Sequence, residues 1–206
     1  MSELLNVLKT CLGWGYAWGA DGRVLTMEYQ QHLESTFGKE HYHLLDGTDV
    51  GKWRGKNVID CSGLIIFGLQ KLGKLPKNAD YTAAGLYTQL CNPITLSNLK
   101  PGDLVFRKTI SGIVHVGIYS GGGKTIEAKG TKAGVVEGSV NDFNLFGRLK
   151  CIADEMTTQD AINILHGKGI IASPEYWEQN AVPGGIIKGE FAAQLIVNFA
   201  KKLNVN

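Results

Sequence analysis

No apolar run in this 206-residue chain approaches the roughly 18 residues that a membrane-spanning helix needs, so no membrane span is expected. There is no block of Lys or Arg, and a net charge of +2 is too small to argue for nucleic acid as a partner. Cys11, Cys61, Cys91 and Cys151 stand far apart with no C-x-x-C pair, which argues against a structural zinc or a dithiol redox motif. His32, His41 and His43 lack a nearby cysteine or carboxylate at ligand spacing, so no metal and no cofactor are expected. Residues 38–57, which hold two of these histidines, read instead as a solvated loop. The first eleven residues lack both the basic and the long apolar region of a signal peptide. With four unpaired-looking cysteines, that predicts synthesis in a reducing cytoplasm.

What is present centres on Asp60-Cys61-Ser62-Gly63, followed by the apolar Leu64-Ile65-Ile66-Phe67-Gly68-Leu69. The residues before it show no helical period. Those after it place Leu64, Phe67, Leu69 and Leu72 mainly on one side of a helix. Cys61 then stands in the first turn, where free N–H groups and the positive end of the helix dipole face the sulfur. Both favour thiolate, the nucleophilic form. The other reading is a small buried hydrophobe, the commonest fate of a free cysteine.

The rest of the chain reads as helices first and strands later. Residues 3–11 form a short amphipathic helix through Leu4, Leu5 and Leu8. Gly13 to Gly22 is an aromatic, glycine-rich loop, and residues 26–37 form a polar helix. Thr82–Leu90 is a short helix, and Pro101-Gly102 turns the chain into a strand near Leu104–Arg107. Ile113–Tyr119, Lys124–Lys129, Gly134–Val140 and Leu145–Ile152 follow as an antiparallel meander. This order predicts an α+β fold with helices packed on an antiparallel sheet. The composition changes near Ala153-Asp154-Glu155, and residues 155–206 are expected to be a small helical appendage. Thr157 and Asp160 suggest a capping box, Ser173-Pro174 opens a helix carrying Tyr176 and Trp177, and Phe191, Leu195, Phe199 and Leu203 recur four apart. Tyr176 and Trp177 either form a sugar-stacking surface or close a small helical core.

Alternation along Ile113–Tyr119 puts His115 on the face of Ile113, Gly117 and Tyr119. A three-residue tip, Ser120-Gly121-Gly122, pairs Tyr119 with Gly123 and sets His115 opposite Glu127. A four-residue tip sets Ala128 there instead. A cysteine on a helix start, a histidine on a strand and an acid on the next strand make a nucleophile, a base and an orienter.

Taken together, Tyr16-Ala17-Trp18-Gly19, Asp60-Cys61-Ser62-Gly63, Pro101-Gly102-Asp103-Leu104 and His115-Val116-Gly117-Ile118-Tyr119 resemble the NlpC family of papain-like bacterial cell-wall cysteine peptidases over roughly residues 10–150. Glu127 takes the third polar position, where that family more often has His, Asn or Gln. Its full negative charge would favour a thiolate–imidazolium pair. Residues 1–154 are then a peptidase domain with an insertion at about 22–57, since some forty residues separate the Trp-Gly loop from the cysteine. The insertion is expected to wall one side of the cleft. The resemblance implies hydrolysis of peptidoglycan or muropeptides at the D-isoglutamyl–diamino acid bond, without a cofactor. It assigns Cys61, His115 and Glu127 to catalysis and Tyr16, Trp18, Asp60 and Ser62 to substrate binding, with Tyr16 and the Cys61 N–H facing the oxyanion. Alternatives are a CHAP-like amidase cutting the muramoyl–alanine bond, or a non-catalytic wall-binding or phage component. For an enzyme made without an export signal, the resemblance suggests a phage-type endolysin released through a holin pore. Residues 155–206 would then target the wall. A cytoplasmic enzyme recycling imported muropeptides is the other solution.

Overall fold

The structure is a computed structural model that describes residues 3–153 and 158–203. Asp154, Glu155 and Thr157, where a boundary and a capping box are expected, lie outside the described residues. The chain divides into two compact units, residues 1–152 and 153–206. No described helix is long and apolar enough to cross a membrane.

The first unit is α+β. Helices α1 (Glu3–Lys9), α2 (Met27–Phe37), α3 (Cys61–Lys71) and α4 (Ala83–Gly85) alternate with two short strands, β1 (Asp21–Val24) and β2 (Asn57–Ile59). The main sheet holds β3 (Cys91–Ile94), β4 (Leu104–Thr109), β5 (Gly112–Gly121), β6 (Lys124–Gly130), β7 (Gly134–Ser139) and β8 (Leu145–Leu149). Its order is β3-β8-β4-β5-β6-β7. The meander therefore runs only through β4 to β7. β8 returns to the far side of β4, and its outer edge takes up Cys91–Ile94, a strand that the proline at position 93 conceals in the sequence.

The Pro101-Gly102 turn is fixed by Asp103, which is buried. Its carboxylate accepts from the Lys100 N–H at 2.7 Å and, bidentately, from Arg148 on β8 at 2.8 Å for each bond. Helix α3 is buried almost all round rather than on one side: Leu64, Ile65, Ile66 and Leu69 all lie inside. It is central because Leu4, Leu5 and Leu8 of α1 cover it on one flank and Leu104, Phe106, Val116, Ile118 and Ile126 of the sheet on the other.

Residues 38–57 are not a solvated loop, and with the rest of the 22–57 stretch they help to build a core of their own. Leu25, Tyr29, Leu33, Tyr42 and Val50 join Ala17, Ala20 and Val58 in a second apolar core, with Tyr42 fully buried. Its helix α2 begins where Thr26 caps the Tyr29 N–H, and 3₁₀ turns at Lys39–His41 and Val50–Trp53 follow. His43 lies between Asp49 and Glu34, the latter at 3.0 Å. The fold thus supplies carboxylates that the local sequence does not.

Helix α5 (Lys150–Ala153) closes the first unit, and the second comprises α6 (Thr158–Gly167), α7 (Pro174–Asn180) and α8 (Gly189–Leu203). Ile162, Ile170, Ile171 and Trp177 form its core. Tyr176 stacks on Phe191 with ring centroids 3.7 Å apart, and its hydroxyl accepts from the Lys188 N–H at 2.7 Å. Both rings are packing residues, so the sugar-stacking surface is not formed by them. Along α8, Phe191 and Leu195 face that core while Phe199 and Leu203 are exposed. A spacing of four on a 3.6-residue turn carries each successive side chain further around the helix.

Candidate active site

Asp60 is the N-cap of α3, and its Oδ1 accepts from the Gly63 N–H at 2.6 Å and from the Ser62 hydroxyl at 3.2 Å. Its Oδ2 accepts from the Gly19 N–H at 2.9 Å. One carboxylate therefore starts the helix and also pins the aromatic loop against it. Burial lifts Asp60 above the usual carboxylate range despite these three donors. Capping and loop attachment engage both oxygens, which is a structural reason for Asp60 and Ser62 alongside the substrate-contact role that the resemblance implies.

Cys61 occupies the first helical position and is 7% exposed. The backbone N–H groups of Val116 on β5, of Ser62 and of Cys61 itself act in favour of its thiolate. Val116 is available because β5 and β6 pair only from Gly121↔Lys124 to Ile118↔Ile126. Beyond Ile118 the two strands part, which leaves the Val116 N–H free to act on the sulfur. This places the sulfur next to His115 along the chain.

His115 donates from Nε2 to Glu127 Oε2 at 2.7 Å, with Glu127 fully buried. The register that brings them together is not the expected one. Tyr119 pairs with Thr125 rather than Gly123, Ser120 forms a bulge, and the turn is Gly122-Gly123. The shift is two residues, and side chains alternate with a period of two, so Glu127 keeps the side of the strand on which His115 lies. It lies against Gly117, where a Cβ would stand 3.2 Å from the Glu127 Cβ. The missing side chain there lets the imidazole and carboxylate meet diagonally. With Nε2 engaged, Nδ1 is the nitrogen left to exchange a proton with a substrate or a thiol.

The Tyr16 ring is buried beside this centre. Burial first, then the neighbouring Cys61 and Asp60, push its phenol well above its ordinary value, so it remains a hydrogen-bond donor. Trp18 is 42% exposed and its ring stacks on His41 with centroids 5.0 Å apart. Four contributors had no sequence signal. Phe143 stacks on the His115 ring at 5.8 Å, the Val116 N–H acts in favour of the Cys61 thiolate, and Lys129 and Asp142 lie beyond Glu127. Phe143 follows the short turn at Val140–Asp142, where no periodicity marks it.

The resting thiolate expected from the helix start is reversed by burial. Desolvation, with the Asp60 carboxylate second, pushes the Cys61 thiol up to about 12, and three N–H donors do not offset it. Iodoacetamide should alkylate Cys61 slowly at pH 7, with a rate that climbs through pH 10 without a plateau, read by mass spectrometry of the Cys61 peptide. A plateau with a midpoint near neutrality would show instead a preformed ion pair.

Residues 47–148 match the family model described as NlpC/P60 family. Over 88 residues the chain is 36% identical to a probable endopeptidase of Corynebacterium glutamicum, covering 42% of this chain and 39% of that one. It is 41% identical over 88 residues to the probable endopeptidase p60 of Listeria monocytogenes, covering 41% of this chain and 17% of that protein. The chain thus spans well under half the length of either relative. Among solved structures, the peptidoglycan hydrolase RipB of Mycobacterium tuberculosis aligns at a TM-score of 0.49 and 20% identity, over 71% of this chain and 62% of that chain.

Proposed function

We propose, on the match of residues 47–148 to the NlpC/P60 family model, that this chain is a cysteine peptidase that hydrolyses peptidoglycan stem peptides at the D-isoglutamyl–diamino acid bond. The observation that supports this most is the buried pair in which His115 Nε2 is fixed by Glu127 at 2.7 Å, on a strand packed against the helix that begins at Cys61.

In this reading Cys61 attacks the amide carbonyl carbon as His115 Nδ1 takes the thiol proton. Glu127 holds the ring and stabilises the imidazolium that forms. The carbonyl oxygen, now negative, is met by the N–H groups at the start of α3, which have no partner within the helix, and by the Tyr16 hydroxyl. The C–N bond breaks as His115 returns its proton to the leaving amine, and a thioester remains on Cys61. Water, deprotonated by His115, attacks the thioester and releases the carboxylate, and the thiol regains its proton.

We further place the enzyme as endolysin-like, made in the cytoplasm and released through a holin-type pore. Support comes from the four cysteines, all thiols, three of them buried. A wall-targeting role for residues 155–206 belongs to the same reading and falls to side chains other than Tyr176 and Trp177.

The test is digestion of purified sacculi and of soluble muropeptides by the full chain, with mass analysis of the fragments. Fragments with a new amine on the diamino acid and a new carboxyl on D-isoglutamate are expected, with sacculi the better substrate. Release of stem peptides that begin at alanine would make it an amidase, and preference for free muropeptides would make it a recycling enzyme. No release from either would overturn the enzymatic reading.

A further inference from the structure

Glu127 is fully buried, yet only its Oε2 has a hydrogen-bond partner, His115. Oε1 has none among the described residues, and Lys129 Nζ stands 3.6 Å from it. That ammonium in turn pairs with Asp142 Oδ2 at 3.2 Å. Two features of the backbone make this arrangement possible. Glu127 and Ala128 pair with Val136 and Val135, but Gly130 pairs with Gly134, so Lys129 is the extra residue of a β-bulge. A bulge re-aims its side chain away from the regular pleat. Across the strand, Gly138 supplies the space that Oε1 fills: a Cβ there would collide with Oε1 and lie 2.8 Å from Thr125 Oγ1.

A buried carboxylate with one oxygen unsatisfied is costly unless a charge compensates it. The groups facing it can be named element by element. β5 offers His115, and α3 brings the Cys61 thiol next to that strand. The turn before β8 offers Asp142 and the Phe143 ring, and β4 offers Arg107, which lies over Phe143 and donates to the Asp142 carbonyl at 3.3 Å. β7 offers Gly138 and Val136, neither of them charged, while its Glu137 pairs with Lys124 instead. Lys129 is thus the cation that stands directly at Oε1.

We propose that Lys129 is a positioning residue of this site: its ammonium, anchored by Asp142, keeps Glu127 an ionised carboxylate aimed at His115. The proposal rests on the reading of His115 as the base and extends it one residue outward. If Glu127 took up a proton, the imidazolium formed during attack would lose its counter-charge and the ring its fixed acceptor. Lys129 touches neither substrate nor reacting atoms and acts wholly through Glu127.

The experiment compares wild type, Lys129→Met and Lys129→Arg as full-length chains, with circular dichroism to verify folding. Lys129→Met should lower kcat about 10- to 100-fold, the scale of a misplaced catalytic group, with KM little changed. Its activity should fail at a higher pH on the acid side, because a carboxylate without its cation takes up a proton more readily. Lys129→Arg should restore most of both. Independently of turnover, the ¹³C carboxyl resonance of Glu127, assigned with Glu127→Gln, should titrate at higher pH in Lys129→Met than in wild type. An unchanged titration, or an Arg variant that behaves like Met, overturns the proposal. A shifted titration in a chain that hydrolyses no peptidoglycan would leave the Lys129–Glu127 coupling standing and overturn the functional reading instead.

Discussion

A Cys61→Ala chain releases peptidoglycan fragments at least about ten-thousandfold more slowly than wild type, the scale on which removal of a nucleophile disables a covalent mechanism. Its fold should persist. Cys61 sits at the helix start rather than in the middle of the core, and Asp60 still caps α3 through the Gly63 N–H at 2.6 Å. Cys91→Ala should do the reverse, keeping turnover and losing some stability. Cys91 is 4% exposed and opens β3 beside β8, where a Cβ on Gly147 would stand 2.8 Å from its own Cβ. Its sulfur is a packing group there. Cys11 is likewise buried, between α1 and the core. The comparison is read from fragment release and thermal midpoints of the variants side by side. Substantial release by Cys61→Ala would remove this sulfur from the mechanism altogether.

Replacing residues 22–57 with a short Gly-Ser linker should yield a chain that does not fold. The sequence suggests a wall for the cleft, whose removal would change KM more than stability. The structure gives the stretch a heavier task. It contributes Leu25, Tyr29, Leu33, Tyr42 and Val50 to a core that also contains Ala17, Ala20 and Val58. The Tyr42 hydroxyl donates to the Trp18 carbonyl at 2.8 Å. Trp53 donates from its ring N–H to the Thr131 carbonyl at 2.7 Å. Deleting buried Leu or aromatic side chains costs about 2–5 kcal/mol each, and several would go at once against a typical total of about 5–15 kcal/mol. Tyr42→Ala alone should lower the unfolding free energy by about 3–5 kcal/mol, measured by urea titration. A linker variant that retains the wild-type thermal midpoint would return the stretch to the status of a peripheral wall.

Much of the fold was readable because local rules and global packing agree. The aspartate before Cys61, the small residues after it and the apolar run that follows specify one helix start, and Asp103 with its Pro-Gly turn specifies one strand start. The His115–Glu127 contact was readable for a different reason: an error of two residues in register leaves a side chain on the same face. What stayed hidden depends on partners far away in sequence. The packing of Tyr42 needs Ala17 and Val58, and the carboxylates at His43 come from α2 and from a turn. Phe143 reaches His115 only once β8 has crossed back to β4. The dipole and N–H groups that favour a thiolate at Cys61 are local and legible, whereas the burial that opposes them belongs to the whole domain.

The bulge at Ser120 has a consequence for how this hairpin can change over time. The Gly122-Gly123 turn alone, extended as a regular ladder from Gly121↔Lys124, would set Glu127 opposite Ile118 and so among the core side chains. One additional residue that makes no chemical contribution reverses that parity. Insertions and deletions at the tip therefore count modulo two: a pair preserves the acid, while a single one exchanges it for Ile126 or Ala128 and buries a charge in the core. Among natural variants, the length of this tip should be conserved as odd or even more strictly than any residue within it.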